Sequence, residues 1–295
     1  MRLERLAPAK VNLFLHVGRL RGDGYHPVSS LATFADVGDV VRFETSDAMG
    51  FSVEGPFGAA LAAEADNLVV RARDMALAGR TQAPAPFHLT LDKRLPIAAG
   101  LGGGSSDAAA ALMLLGEALG PGAELAFPDI ARELGADVLM CLAAKPVLAE
   151  GRGDDLSAPP AFPDLPAVLV NPLKPSPTGA VYRGYDEAGA PGDADRPDWP
   201  TSLSTPAEVA AFLATCRNDL EAPAVRLQPA IAEVLEALRA RPETLLSRMS
   251  GSGATCFAIC ADATRRDALA ATLAADRPGW WVQPCTLAGS RAGAG

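Results

Sequence analysis

Lysine, histidine and aromatic rings are scarce in this sequence. Only Lys10, Lys93, Lys145 and Lys174 stand among 26 basic residues, there are three histidines, and aromatics make up 5% of the chain. None of His16, His26 and His88 lies near Cys256 and Cys260 in sequence, so the interleaved Cys/His spacing of a zinc site is missing. Those two cysteines, on one face of an expected strand, are expected as buried core thiols. No apolar run is long enough to span a bilayer, and the N-terminus lacks a signal-peptide cleavage pattern. The expectation is a cytoplasmic protein with reduced thiols and no membrane partner. Positive charge is also short, with a net charge of −9. A basic field for polynucleotide phosphates is absent, so no nucleic-acid partner is expected. The N-terminal 26 residues alone are net positive, and a small anion could be received there.

Hydrophobic residues make up 49% of 295, enough for about two domains at the usual ~150 residues each. Expected strands cover 3–15, 31–35, 39–45, 51–54, 87–91, 147–150, 167–171, 255–260 and 280–287. Expected helices cover 67–77, 105–119, 124–134, 206–214, 229–240 and 262–274. Residues 183–198 read as an exposed loop, and the tail after Gly289 as frayed. The elements come in mixed blocks without steady alternation, which favours α+β. Seven prolines in 156–177 mark a crossing between domains at 1–155 and 156–295.

Four stretches have chemical content. The first is Pro96-Ile97-Ala98-Ala99-Gly100-Leu101-Gly102-Gly103-Gly104-Ser105-Ser106. A strand leads in, a helix leaves, and Ser105 or Ser106 is expected to cap it. Four glycines in five positions let the backbone approach a ligand, and the first amides of the helix supply donors at the positive end of its dipole. Neither a Walker A loop nor the dinucleotide fingerprint fits. The simpler alternative is a flexible turn. The second stretch, 8–26, places Lys10 and Asn12 two apart, hence on one strand face. It ends on Tyr25 and His26, a ring and a hydrogen-bonding group suited to a planar base. The third sets Asp137 after Gly135 and before an apolar run, where a carboxylate can act as a base or simply end a helix. The fourth, Ser250-Gly251-Ser252-Gly253, is a tight turn or a phosphate approach.

The loop resembles the Pro-x-x-x-Gly-Leu-x-Ser-Ser-Ala motif of the GHMP kinases in an extended form. With Pro8–Leu15, Arg21–His26, Gly135–Val138, Ala149–Asp154, Asn218–Glu221 and Met249–Phe257, it is similar to one branch of that family, in the same order along most of the chain. The resemblance implies a ribosomal-protein-S5-like N-terminal domain and a ferredoxin-like C-terminal domain. It implies ATP and Mg²⁺ as cofactors and a cytidine-diphosphate-linked methylerythritol as the small-molecule substrate, phosphorylated on its 2-hydroxyl in the non-mevalonate isoprenoid route. Asp137 and Lys10 then fall on catalytic positions. Residues 96–106 fall on the ATP-phosphate loop, and Asn12, Tyr25, His26, Thr178 and Tyr182 on the substrate side. Ser106 is the one candidate metal ligand, and Asp107 is assigned to structure. A homoserine or mevalonate kinase would share the loop without needing Tyr25 and His26. A nucleotide-binding regulator could dispense with Asp137 and Lys10.

Overall fold

A computed structural model describes residues 1–61, 66–78, 84–120, 126–189, 192–200 and 202–290. The chain opens with β1 (Arg2–Val17), β2 (Val28–Thr45) and β3 (Gly50–Glu54), then α1 (Gly58–Leu61), α2 (Leu68–Ala78) and β4 (Phe87–Asp92). Next come α3 (Gly103–Leu119), α4 (Phe127–Leu134) and α5 (Ala136–Ala143), followed by β5 (Val147–Gly151), β6 (Asp155–Ser157) and β7 (Leu165–Asn171). The remainder is α6 (Thr178–Glu187), α7 (Pro206–Ala214), α8 (Glu221–Leu227), α9 (Ala230–Arg239), β8 (Thr244–Met249), β9 (Cys256–Cys260), α10 (Ala263–Asp276) and β10 (Trp281–Leu287). The blockwise mixture is α+β, as the sequence suggested. None of the described helices is long and apolar enough to cross a membrane.

By contact the chain forms two units. The first holds Met1–Ala9, Val37–Ile97 and Gly102–Ala144; the second holds Lys10–Asp36, Ala98–Leu101 and Lys145–Gly295. This division is not the linear one at residue 155, because β1, β2 and the glycine loop each contribute residues to both units.

In the first unit, β4 pairs antiparallel with the later half of β2, Val40 opposite Asp92, and parallel with β3. Period-two alternation turns Phe87, Leu89 and Leu91 inward. They meet Val41 and Phe43 of β2, Val69 of α2 and Ala110, Ala111, Leu114 and Leu115 of α3. In the second unit, β7 lies between β10 and β9, both antiparallel to it, and β8 pairs with β9 on its other side. All five residues of β9 are buried, which is why it reads as an unbroken apolar run. Val168, Val170 and Ala258 pack with Val181, Tyr185, Ile231, Val234, Leu238, Leu269 and Leu273 from the helices. None of the five cysteines forms a disulfide and all are buried, and burial pushes the Cys260 thiol up to about 12, as expected of inert core thiols.

Several elements differ from expectation. The two strands expected at 31–35 and 39–45 are one strand, β2. Gly38 keeps it continuous, since a Cβ there would lie 2.0 Å from the Ala7 carbonyl oxygen. The short elements α1, α5, α8, β6 and β8 have no counterpart among the expected ones. Residues 178–187, whose second half was read as loop, form α6. Val181 and Tyr185, four apart, bury its inner face, and Gly184 disguises the pattern. The expected start of α4 at 124 and most of the tail after Gly289 lie outside the described residues.

Candidate active site

The glycine loop is a chain of left-handed residues: Ala98 (φ 49°), Gly100 (φ 74°) and Gly102 (φ 62°). Gly102 is the N-cap of α3, with no side-chain cap bond. The helix therefore starts at Gly103, two residues earlier than expected, and Ser105 and Ser106 lie in its first turn rather than capping it. The Ser106 amide makes the first closing bond, to the Gly102 carbonyl at 2.9 Å. The amides of residues 103–105 then have no acceptor within the helix, so three donors collect at the positive end of α3. The Ser106 hydroxyl is 1% exposed as a residue and donates to the Pro8 carbonyl at 2.7 Å, which leaves no open face for a cation.

Behind that turn, in the first unit, lies a buried ion cluster. Lys93 Nζ donates to Asp39 Oδ2 at 2.5 Å and to Asp107 Oδ2 at 2.8 Å. Asp39 Oδ1 also accepts the amides of Arg94 and Leu95, at 2.6 and 2.8 Å, which fixes the chain as it enters the loop. Burial, opposed by Lys93 and reinforced by Asp39, pushes the Asp107 carboxyl up to about 8. Burial alone would lower the Lys93 pKa, but the two carboxylates more than offset it and hold Lys93 above its ordinary value. With α3 starting at Gly103, Asp107 lies beyond the first turn and is tied to Lys93 instead of facing the helix dipole. Its Oδ1 lacks a hydrogen-bond partner, as suits a carboxyl that is one negative charge too many for a single ammonium.

Asp137 sits half-buried in the first turn of α5, after Gly135. It opens a new helix rather than ending the preceding one.

In the second unit, Lys10 and Asn12 are buried neighbours on β1, 6% and 5% exposed. The Lys10 amide donates to the Leu101 carbonyl at 2.8 Å, tying β1 to the loop. The Asn12 side-chain amide donates to Ser30 Oγ at 2.8 Å, and its buried Oδ1 has no partner among the described residues. The Ser-Gly-Ser-Gly turn, a weak signal in sequence, is a hub. Ser250 Oγ accepts the Asn12 amide and donates to the Gly100 carbonyl. Ser252 Oγ shares a hydrogen bond with Thr178 Oγ1 at 2.8 Å. Asn218 Nδ2 donates to the Met249 and Gly251 carbonyls. A Cβ on Gly100 would lie 2.4 Å from the Ser250 carbonyl oxygen, so glycine is required where loop and turn meet. The sequence marks this turn but not the partners of its two serines, which are long-range.

The aromatic residues also gather in the second unit. The His26 ring lies 5.1 Å from Tyr182 and 5.8 Å from Tyr185, centroid to centroid, and His26 Nε2 pairs with Asp186 Oδ1 at 2.8 Å. The imidazole is thus engaged as a support for α6. Tyr25 is 54% exposed, with the Arg152 guanidinium 4.0 Å above its ring. The described residues contain no cluster of three or more Asp, Glu, His or Cys placed to hold a metal ion. With Ser106 closed off and Asp107 tied to Lys93, these residues do not make a Mg²⁺ site by themselves.

A glycine loop opening onto a helix N-terminus, a half-buried carboxylate and a buried lysine on this α+β scaffold are features of the small-molecule kinases. The chain belongs to the GHMP kinase family: the GHMP kinases N terminal domain matches residues 67–145, and the GHMP kinases C terminal domain matches 205–277. Over 97% of its length it is 57% identical to the whole of the 4-diphosphocytidyl-2-C-methyl-D-erythritol kinase of Caulobacter vibrioides. It is 45% identical, over 95% of this chain and 93% of that one, to the protein of the same name from Dinoroseobacter shibae. A crystal structure of 4-(cytidine 5'-diphospho)-2C-methyl-D-erythritol kinase aligns with 98% of this chain and 100% of that one, at a TM-score of 0.77 and 36% identity. Homoserine kinase from Cytophaga hutchinsonii shares the fold, with a TM-score of 0.64 at 18% identity over 98% of this chain and 94% of that one.

Proposed function

We propose that the chain transfers the γ-phosphoryl group of ATP to the 2-hydroxyl of 4-diphosphocytidyl-2-C-methyl-D-erythritol, in the cytoplasm and without a nucleic-acid or membrane partner. The observation that carries this reading is the near-full-length likeness to kinases bearing that one name. An exposed Tyr25 ring beside the His26–Tyr182 pair supports it, since another GHMP substrate would have no use for a base platform. The family domains are assigned to 1–155 and 156–295, a boundary that falls outside both matched segments.

In phosphoryl transfer the protein chiefly positions the reactants and neutralises charge. Asp137 accepts the proton of the attacking hydroxyl. Lys10 steadies the attacking oxygen and the γ-phosphate. The free amides at the start of α3 hold phosphate oxygens. Asn12 Oδ1, a buried acceptor with its amide nitrogen already committed to Ser30, receives a substrate hydroxyl. Tyr25 and Tyr182 bound the cytosine, and Thr178, held by Ser252, lines the substrate side. Mg²⁺ bound with ATP would supply neutralisation of phosphate charge, and among the described residues no cluster of three or more Asp, Glu, His or Cys fits it. The deciding assay measures ATP consumption with the cytidine-linked substrate, homoserine and mevalonate side by side. Turnover with the first alone is expected, and turnover with either of the others instead overturns the reading.

Two substitutions probe the two ligands separately. Gly103 is a poor place to test the loop, because a Cβ there would lie 2.9 Å from Lys93 Nζ and disturb the ion cluster. Gly104 is exposed, and its added Cβ would meet only Leu68 Cδ1, at 3.5 Å. Gly104→Val should weaken ATP binding by roughly tenfold or more, the loss of one charge-assisted hydrogen bond, with little change in melting temperature. Unchanged affinity by calorimetric titration would count against phosphate contact at this turn. Tyr25→Ala should raise KM for the cytidine-linked substrate by roughly 5- to 150-fold, the worth of one base–aromatic stack. Tyr25→Phe should lose much less, and KM for ATP should barely move in either. A rise in KM for ATP alone would mean that the two pockets are assigned the wrong way round.

A further inference from the structure

We propose that Arg152 is a positioning residue for the Tyr25 base platform, holding the ring through a cation–π contact and an ion pair with Asp23. The inference rests on the reading of Tyr25 as the surface on which cytosine stacks.

Tyr25 stands in a tight turn, closed by the Gly24 amide on the Arg21 carbonyl at 3.0 Å and the Arg21 amide on the Tyr25 carbonyl at 2.9 Å. Its own amide donates to Asp23 Oδ1 at 3.1 Å. Nothing in that turn fixes the ring, which is more than half exposed. A second turn supplies the fixing group. β5 pairs with the start of β2, Val28 opposite Gly151, so the residue after Gly151 emerges next to the segment that carries Tyr25. There the chain turns sharply, with Gly151 and Gly153 at φ 67° and 89° and the Gly153 amide on the Glu150 carbonyl at 2.9 Å. Arg152 is thrown outward between them. Its guanidinium lies 4.0 Å above the centre of the Tyr25 ring, and its NH2 group donates to Asp23 Oδ2 at 2.9 Å. One arginine therefore holds both the turn's carboxylate and the turn's ring. A planar cation covers one face of the ring, while more than half of the residue stays open to solvent. Asp23 divides its two oxygens between the Tyr25 amide and Arg152, so turn, ring and guanidinium move together.

The arrangement predicts an effect on one Michaelis constant. Arg152→Met keeps an unbranched side chain but removes the charge and both contacts. KM for the cytidine-linked substrate should rise about 3- to 10-fold, the worth of an exposed cation–π contact plus a surface ion pair. KM for ATP and kcat should stay within a factor of two (about the precision of such constants). Arg152→Lys, which keeps the charge over the ring, should recover most of the loss. In a Tyr25→Ala background, Arg152→Met should have no further effect, since there is no ring to hold. Equal KM for wild type and Arg152→Met overturns the inference, and so does an identical rise in both backgrounds, which would place the guanidinium on the substrate itself. A lysine variant as impaired as methionine overturns the role of charge. If the wild-type chain fails to turn over the cytidine-linked substrate, the proposed function fails; if it succeeds and Arg152→Met matches it, only this inference does.

Discussion

Asp137→Asn should lower kcat by about 10²- to 10⁴-fold, the usual worth of a positioned general base, and leave ATP affinity close to that of the wild type. The substitution keeps shape and volume and removes the negative charge and the ability to take a proton. Asp137 lies in the first turn of α5 and is half-buried, and Val138, Met140 and Cys141 of the same helix are buried. An isosteric amide should therefore leave the packing of α5 as it is. The loss should appear equally in kcat and kcat/KM for the acceptor, the signature of an interaction made in the transition state alone. Single-turnover measurements should show the chemical step slowed, with substrate binding unchanged. Near-normal turnover would remove Asp137 from the role of base. A rise in KM with kcat preserved would make it a binding residue.

How much of this was legible in the sequence depends on the range of the interactions involved. The glycine loop, the pairing of Lys10 with Asn12 and the Tyr25-His26 pair are local patterns, and the structure builds them on a tight loop, a strand and a turn. The start of α3 was misplaced because a serine ordinarily caps a helix, whereas here Gly102 in a left-handed conformation does so. Asp137 was read at the edge of a buried segment, but the eight-residue helix it opens was too short for its period to stand out. Helix α6 was half hidden by its glycines and its acidic end, since a single buried pair, Val181 and Tyr185, carries its inner face. Ser250, Ser252 and Arg152 fall in stretches the sequence marks, but their contacts could not be read there. Their partners lie 238, 74 and 129 residues away in the chain, and no periodicity records such distances. Lys93 was noted for its rarity alone, and nothing local announces that Asp39 and Asp107 converge on it.

Lys93→Met should be the most destabilising of the substitutions considered, by about 3–5 kcal/mol near neutral pH, the usual cost of stranding a buried charge. Methionine matches the stem of lysine, so packing is largely kept, and what is lost is the ammonium that pairs with Asp39 and Asp107. Lys93, Asp39 and Asp107 are 3%, 0% and 1% exposed, so water cannot take over the missing partner. Urea unfolding followed by tryptophan fluorescence should show the midpoint falling at constant slope. Because Asp107 holds its proton near neutral pH, the stranded charge is that of Asp39, and adding Asp39→Asn to Lys93→Met should recover part of the loss. The wild type carries a milder form of the same conflict. The Asp107 carboxyl, raised from 3.8 to about 8 in the folded protein, holds its proton more tightly when folded than when unfolded. The sign follows from linkage: a raised carboxyl stabilises the fold in full below its unfolded value, loses that contribution as pH rises, and contributes nothing above its folded value. Wild-type stability should therefore decline between about pH 4 and pH 8, and Asp107→Asn, which cannot ionise, should flatten that decline. An unchanged urea midpoint in Lys93→Met would mean that the three groups do not depend on one another. A pH profile of Asp107→Asn that parallels the wild type would assign the decline to other carboxyls.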